Sequence, residues 1–527
     1  MKKITILDTT LRDGAQGVGV QFSVDDRLSV ARLLDDLGVD YIEAGQPSAS
    51  LADADFFARR PILKHAKLTA FGATARKGVP PETDAGLAAL LAADTGTVTL
   101  FGKASRLQAE TVLRCEPREN LIMIEQSAAF VKSRGREVIY DAESFFDGYR
   151  EDPAYALETL FAAHRGGADI VTLCDTVGGA LPDEAERAVK DVCGRLSIPI
   201  GIHIHNDAGM AAAISVIAVL AGASHVQGTI GGIGERCGNA DLVTVIAGLQ
   251  LKREMRCVSD ASLPELTRVA RAVADIANLT IAPNAPYVGG NAFTHKAGMH
   301  IDGVMKDPAA FEHIPPGLVG NRRGFAASEL AGRSFIVNEI RRVFPKKPFA
   351  KDSPEIVSFM EMLKEDARLG VTYEAAEASL TLRIVKHFGT YQPPFGLTQM
   401  RVVSEHPAPS QESTAILNLS AGGKETLSAG QGAGPVHALG EALTKALEGV
   451  YPEVKNMRLT DYKVRVLNPA GATAARVRVL ITSTDGASVW STTGVSDNIV
   501  WASWQALSDS VEYYLFQTKK TNKYGKG

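Results

Sequence analysis

The first 250 residues alternate strand-like apolar runs with helical segments, and this alternation restricts the fold more than any other feature. One such helical segment is 23–37, where Ser23 is a suitable N-cap and apolar residues recur on one face. Eight strand–helix units predict an α/β fold of the (β/α)8 TIM-barrel type, with a doubly wound open sheet as the alternative. The eight predicted strands are Ile4–Thr10, Tyr41–Gly45, Lys67–Ala73, Thr97–Gly102, Glu137–Glu143, Asp169–Thr176, Ile198–Asp207 and His225–Glu235.

Two further regions follow the predicted barrel. After residue 258 the strand pattern stops, and helices are predicted at 263–278, 328–343, 354–367 and 373–387. After residue 392 a small α/β domain is predicted, with strands at 399–404, 415–420, 461–467 and 475–484 and helices at 436–448 and 499–516. The glycine-rich run 429–435 is predicted as a tight turn. The predicted division is 1–258, 259–392, 393–518 and a flexible basic tail, 519–527.

Composition argues against several classes of protein. The chain is 45% hydrophobic and 22% charged with a net charge of −4, which favours neither nucleic acid nor an anionic membrane as a partner. No stretch approaches 18 uninterrupted apolar residues, and the N-terminal run Met1–Asp8 resembles a first strand rather than a signal peptide. The five scattered cysteines are predicted to be free thiols, which indicates a cytoplasmic protein.

Two histidines alternate along the seventh predicted strand. In a strand, residues i and i+2 point to the same face, so His203 and His205 present two imidazoles side by side. Imidazole ligands, with carboxylates or amides, bind divalent cations such as Zn, Mn, Fe or Mg. A metal site is therefore predicted here, and a pair of packing histidines is the structural alternative.

Polar residues also stand at the carboxyl ends of other predicted strands. In a TIM barrel the active site is built from these ends, and side chains from several strands converge on one mouth. The polar strand ends are Asp8–Asp13, Glu43, Asp141–Glu143, Asp175–Thr176, His203–Asp207 and Gly234–Asn239. Their convergence predicts a catalytic site rather than a solvated rim.

Several short motifs, which follow one another along the chain, resemble the motifs of one enzyme family in the same order. They are LDTTLRDG at 7–14, the His203/His205 pair, GERCGN at 234–239, NAFTHKAGMH at 291–300 and GVSDNI at 494–499. Together they resemble the 2-isopropylmalate/homocitrate/citramalate synthase family of metal-dependent TIM-barrel Claisen condensing enzymes, over essentially the whole chain. Segments 12–17, 133–143 and 145–149 are most similar to its citramalate synthase branch.

The resemblance implies roles for the polar strand ends. It implies a divalent metal (Mg, Mn or Zn) held by Asp13, His203, His205 and Asn239, and acetyl-CoA as co-substrate. A 2-oxo acid would chelate the metal, which polarises its keto carbon. Arg12 would stabilise the developing alkoxide.

The resemblance also implies that other residues contact the substrates. Either Glu143 or His300 would deprotonate acetyl-CoA, and Glu235 would orient a ligand or a water molecule. Substrate-binding residues are implied at Thr176, Glu43, Gln46 and Gln16.

The resemblance also implies functions for the regions that follow the barrel. Segment 259–392 would complete the active site, and segment 393–518 would be a regulatory domain that forms a homodimer and binds isoleucine or leucine as an effector.

The implied activity is condensation of acetyl-CoA with a small 2-oxo acid, pyruvate giving (R)-citramalate in isoleucine biosynthesis. Gln46 stands where citramalate synthases usually carry tryptophan, which leaves open a 2-isopropylmalate synthase or another synthase of the family. Phe311 lies near the position of a family tyrosine and cannot transfer a proton, which leaves open a non-catalytic, ligand-sensing relative. A retro-Claisen lyase on the same barrel is a further alternative, although such lyases generally lack the C-terminal domain.

Overall fold

The computed structural model describes residues 2–325, 333–345, 349–350, 352–373, 376–389, 391–404, 412–467, 475–486 and 488–524. It divides into two compact units. The first comprises Met1–Phe293 and Ile314–Arg323, and the second comprises Thr294–His313 and Gly324–Gly527. None of the helices in the described ranges is long and apolar enough to cross a membrane.

The first unit contains a closed barrel of eight parallel strands, in the order β1 to β8 with β8 pairing back to β1. The strands are β1 Thr5–Asp8, β2 Tyr41–Glu43, β3 Lys67–Ala73, β4 Thr97–Lys103, β5 Glu137–Glu143, β6 Ile170–Asp175, β7 Ile200–Ile204 and β8 His225–Gly228. The TIM-barrel prediction is confirmed, and closure excludes the open sheet.

Eleven helices surround or follow these strands in the described part of the first unit. They are α1 Val24–Leu37, α2 Leu51–Ala58, α3 Ala85–Ala92, α4 Arg106–Thr111, α5 Pro117–Ser133, α6 Phe145–Glu151, α7 Pro153–Arg165, α8 Pro182–Arg195, α9 Ala211–Ala221, α10 Leu242–Arg253 and α11 Leu266–Ile276. Helix α11 begins later than predicted, because Leu263–Glu265 form a separate 3-10 turn.

Helix α1 shows how the sequence specifies these elements. The Ser23 hydroxyl accepts a hydrogen bond from the Asp26 amide, while the Asp26 carboxylate accepts one from the Ser23 amide. The helix ends at Gly38, whose φ of 86° is the left-handed conformation that glycine adopts without strain. Its apolar face, which includes Leu28 and Leu34, is buried in the barrel core.

The eighth strand is shorter than predicted. It ends at Gly228 rather than Glu235, and the chain then turns through Gly231 and Gly232, which both have positive φ. The seventh strand ends at Ile204, so His205 lies just beyond it and pairs with Asn239 in an isolated bridge. Both differences lengthen the loops at the carboxyl ends of the strands.

The second unit begins with short elements and helices. Strands β9 Thr294–His295 and β10 Gly324–Phe325 pair in parallel, and the helices are α12 Gly298–Lys306, α13 Arg333–Val343, α14 Pro354–Arg368 and α15 Glu377–Phe388. The predicted start of a helix at 328 lies outside the described residues, and α15 begins after the predicted position 373.

The C-terminal part repeats one pattern of three antiparallel strands followed by a helix. Strands β11 Phe395–Ser404, β12 Ser413–Ala421 and β13 Lys424–Gly432 form one sheet, followed by α16 Pro435–Leu447. Strands β14 Arg458–Val466, β15 Val477–Thr484 and β16 Val489–Ser496 form the other, followed by α17 Ile499–Tyr524. Helix α17 continues well beyond the predicted end at 516, and residues 525–527 of the predicted tail lie outside the described residues.

The prediction of a tight turn at 429–435 is wrong for its first half. Residues 429–432 are the end of β13, and neither this strand nor β16 was predicted from the sequence. Its glycines serve close packing: a Cβ on Gly430 would lie 2.4 Å from the Ala442 amide nitrogen, and one on Gly432 would lie 2.7 Å from that of Ala438. The strand lies close to α16 because these positions carry no side chain.

Candidate active site

Three potential metal ligands meet at the carboxyl ends of the barrel strands. Asp13 follows β1, His203 lies within β7, and His205 follows that strand. Asp13 Oδ2 lies 3.3 Å from His203 Nε2 and 3.7 Å from His205 Nε2, and all three residues are buried. The two rings lie side by side with centroids 5.3 Å apart, as their alternation predicted.

The loop after β8 folds back to bring Asn239 to the same place. The Asn206 amide donates to the Gly238 carbonyl at 2.9 Å, and the Ala240 amide donates to the Ile204 carbonyl at 2.9 Å. Gly238 has a φ of 83°, and a Cβ there would lie 1.9 Å from the Gly232 carbonyl oxygen. Only glycine fits this close approach, which seats Asn239 beside His205.

The side chain of Asn239 supports a cation at this position. Its Nδ2 donates to Asp13 Oδ1 at 2.9 Å and to the Ile233 carbonyl at 3.2 Å. Its Oδ1 is buried and finds no hydrogen-bond partner among the described residues. A buried amide oxygen without a donor is costly, and a cation would satisfy it. One carboxylate, two imidazoles and one amide oxygen are a donor set that fits Mg, Mn or Zn.

The protonation states of two of these groups suit metal binding. Burial opposes ionisation of Asp13, but the charge of Arg12 and the hydrogen bond of His203 hold the pKa of Asp13 well below its usual range. Burial and the neighbouring His203 lower the pKa of His205 to about 4. At neutral pH Asp13 is therefore a carboxylate and His205 a neutral imidazole, which are the forms that bind metal.

Arg12 is held in one orientation beside the cluster. Its Nε donates to Glu43 Oε1 at 2.5 Å and its Nη1 donates to Asp13 Oδ2 at 2.9 Å. Its guanidinium carbon lies 3.9 Å from the centroid of the Phe71 ring, a cation–π contact. Burial opposes its charge, but the carboxylates of Glu43 and Asp13 raise its pKa. The site therefore keeps a fixed positive charge next to the candidate ligands.

A second set of buried polar groups contacts His203, and the sequence alone indicated no role for most of them. Gln227 is buried in β8, where its Oε1 lies 3.0 Å from His203 Nδ1. Its Nε2 donates to Asp141 Oδ1 at 2.8 Å and to Thr172 Oγ1 at 3.1 Å. The available signal was a glutamine two residues after His225, which places both side chains on the same face of the strand.

Other predicted residues of the first unit lie at strand ends with partners of their own. Glu143 Oε1 accepts a hydrogen bond from Lys103 Nζ at 2.5 Å. The hydroxyl of Thr176 accepts from the Ser144 amide at 2.9 Å. Glu235 is exposed, with its Oε2 3.4 Å from Arg236 Nη1.

The two predicted glutamines are not joined to the Asp13 cluster by any hydrogen bond described. Gln16 is exposed at the end of the 3-10 turn Gly14–Gln16. Gln46 is half-buried, and its backbone amide donates to Asp53 Oδ2 at 2.7 Å. Glu43, by contrast, is fully buried and belongs to the Arg12 clamp.

His300 belongs to the second unit. It is exposed at the start of α12, and its ring stacks on Phe311 with centroids 4.4 Å apart and an interplanar angle of 25°. Phe311 is itself 43% exposed. The Phe311 ring is therefore in direct contact with one of the two candidate bases.

Comparison with known families covers most of the chain in three consecutive matches. Residues 3–273 match the HMGL-like family, residues 287–345 match the homocitrate synthase post-HMGL domain-like family, and residues 374–515 match the LeuA allosteric (dimerisation) domain. The barrel that carries Asp13, His203 and His205 therefore belongs to the HMGL-like class.

Individual relatives are similar over nearly their whole length. An (R)-citramalate synthase of Aquifex aeolicus (strain VF5) is 45% identical over 98% of this chain and 99% of its own. That of Geobacter sulfurreducens is 42% identical over 99% of each chain. A Methanosarcina acetivorans protein named "Probable 2-isopropylmalate synthase" is 30% identical over 99% of this chain and 97% of its own. The chain belongs to the family of the (R)-citramalate synthases.

Proposed function

We propose that the protein is an acyltransferase that condenses acetyl-CoA with pyruvate to give (R)-citramalate and CoA, a step of isoleucine biosynthesis. The observation that carries this proposal is the buried Asp13–His203–His205 cluster with the Arg12 guanidinium beside it. The preference for pyruvate is supported by greater identity to (R)-citramalate synthases, 45%, than to the 2-isopropylmalate synthase relative, 30%.

The cluster supports the binding and activation of a 2-oxo acid. Asp13, His203, His205 and Asn239 would hold a divalent cation, which supplies Lewis-acid polarisation of the keto carbonyl. When the new carbon–carbon bond forms, negative charge develops on the former keto oxygen. Arg12 stabilises this charge at no cost of reorganisation, because Glu43 and Phe71 already hold its side chain in place.

The methyl group of acetyl-CoA must lose a proton before it attacks. Glu143 at the end of β5 and His300 on α12 are the two candidate bases, and one of them would take this proton. Thr176, Gln46 and Gln16 would contact the substrates, and Glu235 would orient a ligand or water. Hydrolysis of the resulting thioester releases CoA and makes the reaction irreversible.

The C-terminal region is proposed to regulate the enzyme. Its match to the LeuA allosteric (dimerisation) domain supports a homodimer whose segment 393–518 binds isoleucine or leucine. Segment 259–392 is proposed to complete the active site after the barrel of 1–258. We place the protein in the cytoplasm, where its five free cysteines would stay reduced.

The proposal is tested by release of CoA thiol from acetyl-CoA with a panel of 2-oxo acids, in the presence of Mg or Mn. We expect metal-dependent release that is fastest with pyruvate, and a product that chiral chromatography identifies as (R)-citramalate. Asp13→Ala should abolish the activity, whereas Asp25→Ala, on the exposed surface of α1, should leave it unchanged. Release no faster than that of Asp13→Ala with every oxo acid would refute the proposed reaction.

The same panel decides between the remaining synthases. Fastest release with 2-oxoisovalerate would assign a 2-isopropylmalate synthase, the reading that Gln46 leaves open. Phe311→Tyr tests the non-catalytic reading, because a hydroxyl beside His300 would restore a group able to transfer a proton. A large gain in rate from an inactive parent would indicate a decayed site.

A further inference from the structure

The Gln227 side chain connects His203 to an acidic group on another strand of the barrel. Gln227 is fully buried on β8, Asp141 lies on β5, and His203 lies on β7. The amide is in hydrogen-bond contact with both, at 2.8 Å from Asp141 and 3.0 Å from His203 Nδ1. A buried glutamine with every polar atom satisfied holds a fixed position in the interior.

The hydrogen-bond chemistry of Asp141 determines which way the amide faces. A carboxylate only accepts hydrogen bonds, so the Gln227 Nε2 group must point to Asp141. The second N–H of the same group points to Thr172 Oγ1 at 3.1 Å. Both donors are therefore used, and the carbonyl Oε1 is left facing His203 Nδ1.

The amide orientation in turn determines the proton on the imidazole. Because Oε1 only accepts, His203 Nδ1 must carry the hydrogen, and the lone pair of a neutral His203 then lies on Nε2. That nitrogen is the one 3.3 Å from Asp13 Oδ2, on the side of the candidate ligands. The opposite tautomer would place a hydrogen where a metal must bind.

We propose that Gln227, oriented by Asp141, is a positioning residue that keeps His203 in the tautomer able to bind the cation. The inference rests on the metal site of the proposed function and adds a residue to it. His205 provides an internal contrast, since its Nδ1 is buried and has no hydrogen-bond partner among the described residues. The barrel therefore orients one of the two imidazoles through a polar chain and the other by packing alone.

The test is the affinity of the metal-free, full-length protein for Mn²⁺, measured from the electron paramagnetic resonance signal of the free ion. Gln227→Met has similar length but cannot accept the Nδ1 hydrogen bond, and we expect it to weaken Mn²⁺ binding by about 10- to 100-fold. Combining Gln227→Glu with Asp141→Asn keeps an acceptor oxygen toward His203 and gives the new carboxylate an amide donor instead of a second carboxylate, so this double variant should recover most of that loss. This rescue would not occur if the residue only filled space.

Gln250→Met is the matched control. Gln250 is also buried, and its Nε2 donates to the Val258 carbonyl and to Asp260 Oδ1, away from the cluster. It should lower the midpoint of thermal unfolding about as much as Gln227→Met does but leave Mn²⁺ affinity unchanged. Equal affinities in Gln227→Met and the unmodified protein would overturn the inference, as would a loss in the Gln227→Glu/Asp141→Asn double variant as large as that in Gln227→Met.

Asp13→Ala separates failure of this inference from failure of the metal site. If the unmodified protein binds Mn²⁺ and Asp13→Ala does not, the site stands, and the Gln227 variants alone decide the role of that residue. If the unmodified protein and Asp13→Ala bind Mn²⁺ equally weakly, both the metal site and the role of Gln227 are overturned.

Discussion

His203 and His225 lie on neighbouring strands of one barrel, and both are buried, yet their environments are opposite. His203 is near the carboxyl end of β7, with Gln227 at one ring nitrogen and Asp13 at the other. His225 begins β8, packs edge-on against Tyr41 with centroids 5.9 Å apart, and neither ring nitrogen has a hydrogen-bond partner among the described residues.

The two environments shift the pKa values of the two histidines in opposite directions. Burial lowers the pKa of His225 to about 3, so this imidazole is uncharged at neutral pH. Burial also opposes the charge on His203, but the hydrogen bond and charge of Asp13 raise its pKa above the usual value. Hydrogen-bonding and charged neighbours, rather than burial alone, therefore decide whether a buried histidine can carry a proton or bind a cation. The barrel supplies such neighbours at the carboxyl ends of its strands.

Among the variants that compare the two ends of the barrel, Arg12→Gln is expected to have the largest effect. Glutamine removes the fixed charge where the alkoxide develops, so kcat for thiol release should fall by about 10²- to 10³-fold. Arg32→Gln, an exposed arginine on α1, is the control and should keep full activity. An unchanged kcat in Arg12→Gln would contradict the assignment of catalysis to the carboxyl ends of the barrel strands.

At the other end of the barrel, His225→Leu should make stability less sensitive to acid. The pKa of histidine is about 6.5 in an unfolded chain and about 3 in the folded protein. Between these values only the unfolded state binds the proton, so the free energy of unfolding falls as the pH falls. The contribution is about 1.4 kcal/mol per pH unit between pH 6 and pH 4, and it is absent above the unfolded pKa.

Urea unfolding at pH 6, 5 and 4 measures this contribution as the difference in slope between the unmodified protein and His225→Leu. His164→Gln, at an exposed position on α7, should show the unmodified slope. Identical slopes in His225→Leu and the unmodified protein would mean that His225 is not neutral in the fold.

Removing the metal should lower the stability only of proteins in which Asp13, His203 and His205 are unchanged. Mn²⁺ at about 100 times its Kd stabilises a folded site by about 2.7 kcal/mol, and a chelator should reverse this. The gain should disappear in Asp13→Asn and persist in His225→Leu, as measured by thermal unfolding with and without Mn²⁺. A gain that persists in Asp13→Asn would place the ion elsewhere.

The smallest effect is expected from Tyr41→Phe at the amino end of the barrel. The Tyr41 hydroxyl donates to Glu137 Oε1 at 2.9 Å, and losing this bond should cost about 1 kcal/mol of unfolding free energy. The rate of thiol release should not change, because Tyr41 has no contact with the mouth residues in the described structure. A reduced rate at full stability would show that the two ends are coupled.

The barrel could be predicted because its strands are short, mostly apolar runs and its helices carry apolar residues at helical spacing. Both patterns are visible in the sequence, and Lys67–Ala73 and Glu137–Glu143 match their predicted bounds. Strands β13 and β16 escaped prediction because glycine and small polar residues weaken the strand pattern. Their glycines are required by packing: a Cβ on Gly494 would lie 2.1 Å from the Ala502 carbonyl oxygen in α17.

The metal site was predictable to the extent that it depends on local spacing. The alternation of His203 and His205 placed two rings on one face, which the structure shows. The contribution of Gln227 could not be read in this way, because its partners come from β5, β6 and β7. A polar residue in a short strand indicates that something satisfies it, but not what.

The sequence by itself determined the succession of strands and helices, the two adjacent imidazoles and the family to which the chain belongs, because these follow from periodicity and short motifs. Only the tertiary structure decided which histidine is oriented for binding and which is simply enclosed. Hydrogen bonds such as those joining Gln227 to Asp141 and His203 connect residues far apart in the chain, and they exist only once the barrel closes.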